Sequence, residues 1–520
     1  MKRSTRKALS RIGLIGIVII IVVAVAAGVL YYSMPPQPPT TTTTTTPTGT
    51  HTTTTTTITT TTTHTTTTTT TTPPSQGIVL RVLTRHPSDI LTEAKKKFLA
   101  TSLAKKYNIV DIIWLPIEPP QWIDTINYAG QRPGQEIDIA WGGGPTMFDL
   151  LLKEGLLATI NSSEVMDVIQ DIPEEIAGSP MVRYDDNGNI KWIAAAIASF
   201  GFTINRQKLD QYGFSTPEKW VDLASPDFAV TLPTPMVGVA DPTKSTSNTR
   251  MYEIILQIYG WNGGWKIITR MGANARIYDQ SGLVRDAVIR GDIAVGITID
   301  FYGYTAQLKN PNQCLYILPK DGTIVNGDPI ALLTTSKHKE AAQAFIAWVL
   351  SPEGQALWMN PNINRMPVNP KVFDETPEGR NRTDLKAAYD ATLESTTIEF
   401  SDEMASSIEE AMRWFFFATI TQAHDELQSL WKDLALAYLS GKITQDQFNK
   451  LVDDLANPSK LEYTDPATGQ KTTFTLQTAQ NMNTKILEDV NYRNQLVSEW
   501  TQAAKQRYQA IHQELQSLIG

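Results

Sequence analysis

Apolar and polar positions along this 520-residue chain fall into three regimes. The first is an unbroken apolar run over residues 12–30, long enough to cross a bilayer as a helix of about 19 residues. Lys2, Arg3, Arg6, Lys7 and Arg11 precede it without an acidic residue, which keeps the first segment cytoplasmic, and Tyr31 and Tyr32 follow at the interface. A cleavable secretory signal competes with this anchor, with Ala24 to Gly28 supplying small residues. The second regime, residues 40–72, is almost pure threonine bracketed by prolines. It buries too little to offset chain entropy and reads as an O-glycosylated stalk or a plain spacer. Everything beyond lies outside the cell.

The third regime alternates short apolar runs with amphipathic stretches, which predicts α/β lobes with largely parallel sheets. Strands are expected at 78–83, 109–115 and 137–141, with helices at 91–106, 122–128 and 147–153 between and after them. The apolar run 193–204 suits a strand crossing between lobes. Strand signals lie within 223–242 and at 293–299, 316–319 and 330–333; helices are expected at 250–259, 282–290 and 339–350. Beyond about residue 399 the pattern is nearly all helical, broken by a hairpin turn at Asp465-Pro-Ala-Thr-Gly469.

Composition narrows the chemistry. Net charge is −8, and since the five basic residues ahead of the anchor have no acidic partners, the remainder carries about −13. That argues against nucleic acid and against an anionic membrane surface. Cys314 is the only cysteine, so there is no internal disulfide and no cysteine-based metal site. His51, His64, His86, His338, His424 and His512 are isolated, and no hydrolase, zinc or nucleotide signature is present. Glu409-Glu410 and Asp453-Asp454 read as solvated helix faces. No enzyme, cofactor or resident metal is expected.

An ordered set of motifs then carries a resemblance. It includes Asp138-Ile-Ala-Trp-Gly-Gly-Gly144, Gly155-Leu-Leu157, Phe200-Gly-Phe-Thr-Ile-Asn205 and Pro217-Glu-Lys-Trp-Val-Asp-Leu223. Asp241-Pro-Thr-Lys-Ser-Thr-Ser247, Ile299-Asp-Phe-Tyr302 and Ser351-Pro-Glu-Gly-Gln355 complete it. The chain resembles extracellular solute-binding proteins of ABC importers, in the branch related to iron(III), thiamine and phosphate-ester receptors. Lys7-Ala8-Leu9-Ser10 resembles the prepilin-type cleavage site that archaea use on some surface proteins. The resemblance implies a two-lobe periplasmic-binding-protein-like α/β fold (type II) that closes on a small polar solute, an anionic one included, and delivers it to a permease. The expected plan is a basic segment 1–11, anchor 12–32, stalk 33–76, lobe 1 at 77–197, lobe 2 at 198–312, a return to lobe 1 at 313–399, and a helical region 400–520. The resemblance fades in that last region. A monomer is expected.

Ligands of open α/β sheets sit beyond the carboxyl ends of strands, where helix N-termini point unpaired N–H groups. Four loops qualify. The first offers Arg85 as an anion clamp and His86 as a donor, with Ser88 or Asp89 equally readable as the cap of the following helix. The second offers Gly143 and Gly144 for close backbone approach, with a hydroxyl on Thr146; a plain tight turn is the alternative. In the third, Ser245, Thr246 and Ser247 open a helix and suit phosphate or carboxylate, although at least one of them should cap it. The fourth, at the end of a buried strand, offers Asp300, Tyr302 and Tyr304; Asp300 either meets the ligand or holds hinge backbone. Arg365 is a further cleft candidate. Iron receptors of this family use adjacent tyrosines, and the adjacent pair here, Tyr31-Tyr32, belongs to the anchor, which favours an organic solute, while the spacing of Tyr302 and Tyr304 leaves a metal open. Two other classes stay in play: an adhesive or structural surface protein, whose helical tail would present Ile408, Met412, Phe415, Phe416, Leu427, Leu430 and Leu434 to a partner or another copy, packing onto the lobes being the plainer use of that surface, and a hydrolase acting through scattered carboxylates.

Overall fold

The computed structural model describes residues 77–117 and 121–520. The anchor, the stalk and the basic leader lie outside the described residues. Among those described, no helix is long and apolar enough to cross a membrane.

Lobe 1 begins with β1 (Ile78–Thr84), α1 (Ser88–Ala100), β2 (Ile109–Pro116), α2 (Trp122–Gly130), β3 (Ile139–Trp141) and α3 (Pro145–Lys153). β1 pairs in parallel with both β2 and β3, so all three strands present their carboxyl ends to one edge. α1 is shorter than the period implied, because Thr101 turns extended and caps a separate short helix, Ser102–Lys106.

β4 (Ile190–Asn205) then runs for 16 residues, almost all buried, as expected of a strand covered on both faces. Lobe 2 follows with β5 (Val237–Ala240), α4 (Thr246–Asn274), β6 (Ala275–Tyr278), α5 (Ser281–Arg290), β7 (Val295–Ile299), α6 (Asp300–Lys309) and β8 (Cys314–Ile317). β5 pairs in parallel with β6 and β7, which aligns the N-termini of α4, α5 and α6 along a second edge. α4 is interrupted at Gly260, whose φ of 71° a β-carbon would strain. The strand signals at 223–242 yield only β5; Pro226 and the surrounding turns make two short 3-10 helices, Trp220–Ala224 and Pro226–Thr231.

The chain returns through β9 (Val325–Leu332) to α7 (Lys339–Leu350) and α8 (Thr383–Leu393). Strand order is β2-β1-β3-β9-β4-β7-β5-β6, with β8 also on β4. The first half of β4 pairs with β9 and the second half with β7 and β8. Ser199 lies at the changeover, paired with Val325. β8 therefore belongs to lobe 2, and the return expected from residue 313 comes after it. A third crossing segment is marked by the bridge between Thr323 and Thr397.

The helical region consists of α9 (Asp402–Phe416), α10 (His424–Leu439), α11 (Gln445–Ala456), a hairpin of β10 (Glu462–Thr464) and β11 (Lys471–Thr473), α12 (Leu476–Glu488) and α13 (Val490–Ile519). Of the two uses open to its apolar face, packing onto the lobes is the one observed. Ile408, Met412, Phe415, Phe416, Leu427, Leu430 and Leu434 are buried in one continuous core with Phe202, Trp220, Tyr252 and Trp265 of lobe 2. Phe415 stacks on Phe474 at 3.9 Å and meets Trp265 at 4.9 Å. At about 2 kcal/mol per buried side chain, before ordering costs, the region is integral to lobe 2. A second core fills lobe 1 around Phe98, Trp141, Phe345 and Trp358 and takes in Tyr304 and Tyr316 from α6 and β8. Cys314 is buried among Val284, Val288 and Ala306.

Candidate functional site

Helix N-termini lie at the strand carboxyl ends of both lobes, α1 and α3 on lobe 1 and α4, α5 and α6 on lobe 2, and the lobes meet where Thr146 of α3 reaches Arg250 of α4 and Arg365 lies over Phe301 of α6. Each helix starts directly after a parallel strand, where uncancelled N–H dipoles favour negative charge.

On the lobe 1 rim, Gly142, Gly143 and Gly144 adopt φ of 80°, 121° and 86°, a run only glycine sustains without strain. The loop is not left empty-handed, because the Gly143 N–H donates to Asp328 Oδ1 at 2.9 Å. Asp328 also receives Arg365 Nη1 at 2.5 Å. Burial pushes the Asp328 carboxyl up, but the Arg365 guanidinium, helped by the Gly143 N–H, outweighs it and holds it below the usual range. Gly144 precedes Pro145 at the start of α3, and a β-carbon there would meet only open space. The stem of Arg85 lies beside this loop, 3.9 Å from where a Gly143 β-carbon would sit.

His86 lies beneath the glycines rather than on their surface. It is 5% exposed, edge-on to Trp141 at 4.5 Å, and its Nε2 has no hydrogen-bond partner. Burial lowers its pKa to about 3, so it is neutral, and its ring fills the space a Gly142 side chain would need. His86 therefore packs under the loop, with its Nε2 left unpartnered there.

On the lobe 2 rim, Ser245 is the N-cap of α4 and accepts from Asn248 N at 3.4 Å. Thr246 is exposed and Ser247 half-buried beside it, with the two serine hydroxyls 3.4 Å apart. The loop is stiffened from behind, since Asn248 Oδ1 accepts from Ala240 N and Tyr252 Oη donates to Ala240 O. At α5, Gln280 provides no side-chain cap, and Ser281 Oγ is buried without a partner. Ser281 was not singled out from sequence: Gln280-Ser281-Gly282 carries no signal beyond an ordinary helix start.

The fourth loop differs from expectation. Asp300 begins a helix rather than ending a strand, so residues two apart point to opposite sides. Tyr302 packs on the first turn of α5, with its Oη 3.7 Å from a β-carbon built at Gly282 and Arg285 over its ring at 4.8 Å. Tyr304 is buried against Tyr316 at 4.8 Å. The two tyrosines do not converge, which corrects their reading as a joint ligand or metal pair.

Asp300 is 1% exposed and accepts from Ser199 N at 2.8 Å and Phe301 N at 2.7 Å. Burial pushes its carboxyl up to about 7. Of the two roles open to it, holding hinge backbone is the one the geometry displays, because Ser199 is where β4 changes lobes.

Nearer the hinge Asn364 Nδ2 donates to Thr305 Oγ1 of α6 at 3.3 Å, and further out the rims touch as well. Arg365 of lobe 1 lies over the Phe301 ring of lobe 2 at 4.6 Å. Thr146 accepts from Arg250 Nη2 at 2.7 Å and donates to Asp402 Oδ1 at 2.9 Å. Arg250 also pairs with Glu253 at 3.2 Å and Asp402 at 3.2 Å, and stacks over Phe400 at 4.7 Å. Burial raises the pKa of Glu253, with Arg250 opposing it. Glu409-Glu410 and Asp453-Asp454, read as solvated faces, are engaged: Arg413 pairs with the first couple, and Lys266, Lys450 and Lys460 with the second. Among the described residues, no group of three histidine, cysteine or carboxylate side chains is placed to hold a metal ion.

Comparison with known proteins bears on this geometry. Residues 137–391 match a family described as bacterial extracellular solute-binding protein, which supports an extracellular solute-binding protein of the ABC-importer type. The phosphoglycerate transport regulatory protein PgtC of Salmonella typhimurium is 27% identical over 255 residues, 49% of this chain and 57% of that protein. The Fe(3+)-binding periplasmic protein of Serratia marcescens is 25% identical over 194 residues, 35% of this chain and 55% of that protein. The chain thus spans little more than half the length of these curated relatives. Among solved structures, the periplasmic binding protein AfuA of Actinobacillus pleuropneumoniae superposes with a TM-score of 0.50 at 18% identity, covering 66% of this chain and 98% of that one. That likeness establishes the two-lobe α/β fold.

Proposed function

We propose that the protein is the solute receptor of an ABC importer, which captures a small anionic organic solute between its lobes and hands it to a membrane permease without chemistry on the solute. The observation that carries this reading is the convergence of helix N-termini from both lobes. Ser245, Thr246, Ser247 and Ser281 supply hydroxyls at helix N-termini of lobe 2, while lobe 1 brings Gly144 at the start of α3 and Arg365, which meets lobe 2 at Phe301. Ser281 is the most telling of these, because a buried hydroxyl without a partner is expensive unless something completes it. Asp328 already occupies Gly143, so an incoming anion is met mainly from lobe 2. PgtC, named for phosphoglycerate transport, and the sugar phosphate bound to AfuA point to phosphate esters as the first class to test. In this reading residues 12–32 anchor the receptor and residues 33–76 let it reach solute while staying near its permease.

The test is mass spectrometry of any compound released from the purified full-length chain, followed by calorimetry with that compound and with a panel of phosphate esters and carboxylates. Binding of one of these, with a rise in melting temperature as occupancy grows, is the expected result. Binding confined to neutral or cationic compounds would overturn the anionic assignment.

A further inference from the structure

The helical region beyond residue 400 lies past the segment that matches the solute-binding family, yet it reaches the cleft at three points. Arg413 Nε donates to Pro242 O at 2.9 Å, and Thr421 Oγ1 donates to Asp241 Oδ2 at 2.8 Å, so α9 and the turn after it brace the loop that leads into Ser245. The third point is Asp402, at the start of α9. Its position is set from lobe 2 by a reciprocal pair: Gln257 Nε2 donates to Ser401 O at 2.9 Å, and Ser401 N donates to Gln257 Oε1 at 2.8 Å.

Asp402 and Arg250 form a receptacle that is complete within lobe 2. Arg250 cannot swing freely, because Glu253 holds one side of its guanidinium and Phe400 lies against its face. The one group lobe 1 adds is the Thr146 hydroxyl, which accepts from Arg250 and donates to Asp402 at once. A hydroxyl is suited to this slot because it offers a lone pair and a proton from the same atom. Both bonds involve a charged partner, the stronger kind of hydrogen bond.

We propose that Asp402 makes the C-terminal helical region part of the closure machinery: with Arg250 it is a latch that receives Thr146 and biases the two lobes toward the closed arrangement before any solute arrives. The proposal rests on the receptor reading in that it needs two lobes that open and close. It does not need the solute. Opening separates Thr146 from the receptacle but leaves the Asp402–Arg250 pair intact, so the latch resets by itself.

The experiment measures the lobe-to-lobe distance in the solute-free, full-length chain by electron–electron double resonance. Labels are placed through Asn127→Cys on α2 and Leu283→Cys on α5, both exposed and outside the contact. The labelled parent is expected to show a dominant short distance and a minor longer one. Asp402→Ala should shift the closed-to-open ratio by roughly tenfold, the value of one charge-assisted hydrogen bond. Thr146→Val should do the same from the lobe 1 side without touching the helical region. Combining them should add little to Thr146→Val alone, since both remove one contact. Asp402→Asn keeps an acceptor for Thr146 and should fall between the parent and Asp402→Ala. A parent with two distances whose ratio ignores Asp402→Ala overturns the latch and leaves the receptor reading standing. A single distance, unchanged in every variant and by phosphate-ester addition, overturns both.

Discussion

Asp300→Asn tests the hinge most directly. In the native protein the carboxyl is almost fully buried and pushed from 3.8 to about 7, chiefly by burial, with Ser199, Phe301 and Arg365 opposing. A raised folded-state pKa means the folded protein binds the proton more tightly than the unfolded chain does. Its stabilising share is therefore complete below about pH 4, declines as pH rises toward 7, and is constant above. The slope is about 1.4 kcal/mol per pH unit, so acidifying from pH 7.5 to 5.0 should favour the native protein by about 3 kcal/mol through this group alone. Asparagine does not titrate and lacks that gain. It also loses one acceptor, because both carboxylate oxygens receive backbone N–H groups and an amide has only one oxygen to offer. The variant should thus lie near the native protein in stability at pH 7.5, where removing a buried charge offsets the lost bond. At pH 5.0 it should be less stable by about 3 kcal/mol more than at pH 7.5. Urea unfolding followed by tryptophan fluorescence at both pH values gives the difference, in which the other titrating groups largely cancel. A difference between variant and parent that is the same at the two pH values would refute the burial argument.

Other perturbations follow from the same geometry. His86 works in the opposite sense: burial lowers it from 6.5 to about 3, so its share of stability is lost as pH falls below 6.5, and His86→Gln should flatten that acid limb in the same urea assay. Arg365→Leu leaves Asp328 buried without its cation and should cost about 3–5 kcal/mol, most of it recovered when Asp328→Asn is added; calorimetric unfolding of the single and double variants measures this. Gly142→Ala places a β-carbon 2.7 Å from His86 Nε2 at a φ of 80° and should lower the melting temperature by several degrees. Ser245→Ala and Ser281→Ala should separate: loss of the α4 cap costs about 1 kcal/mol, whereas removing the unpartnered Ser281 hydroxyl should leave stability unchanged or raised while weakening solute binding in calorimetry.

The legible parts of this chain were those whose physics is local. The helix Lys339–Leu350 was readable to its ends, because His338 and Ser351 flank a stretch whose residues are nearly all buried. The crossing strand was readable because sixteen residues with almost no charge cannot lie at a surface. Glycine phases at 142–144 and the Ser245 cap follow from backbone sterics and orphan N–H groups, both properties of a few adjacent residues. The misread fourth loop shows the limit: Phe301, Tyr302 and Tyr304 carry strong strand propensity, and only the Asp300 carboxylate receiving Phe301 N starts a helix there. Asp328, Arg250 and Asp402 went unnoticed for another reason. Each gains its meaning from a partner far along the chain: Asp402 meets Thr146 across 256 positions, and Asp328 meets Gly143 across 185. No periodicity or motif encodes such a pair.

Hinge and rim are joined by one helix, and that constrains how the lobes can part. α6 places Asp300 on Ser199 at the point where β4 changes lobes, and the next residue, Phe301, under Arg365 on the rim. Opening about Ser199 can keep the Asp300 bonds while pulling Phe301 from Arg365 and Thr146 from its receptacle. On the rims this removes one cation–π contact, about 0.5–2 kcal/mol, and two hydrogen bonds to charged groups, about 1.5–3 kcal/mol each net of water; nearer the hinge Asn364 Nδ2 donates to Thr305 Oγ1 at 3.3 Å. The rim contacts alone therefore favour the closed arrangement by several kcal/mol. A solute held at micromolar Kd contributes about 8 kcal/mol in total, so it can dominate an equilibrium of this size when it touches both rims. A solute touching only the α4 and α5 hydroxyls would bind without closing anything, because it would have equal affinity for the open and closed arrangements. Under the proposed receptor reading, a solute that drives closure must therefore touch groups on both rims, Ser281 on lobe 2 and Arg365 on lobe 1 being the pair to test.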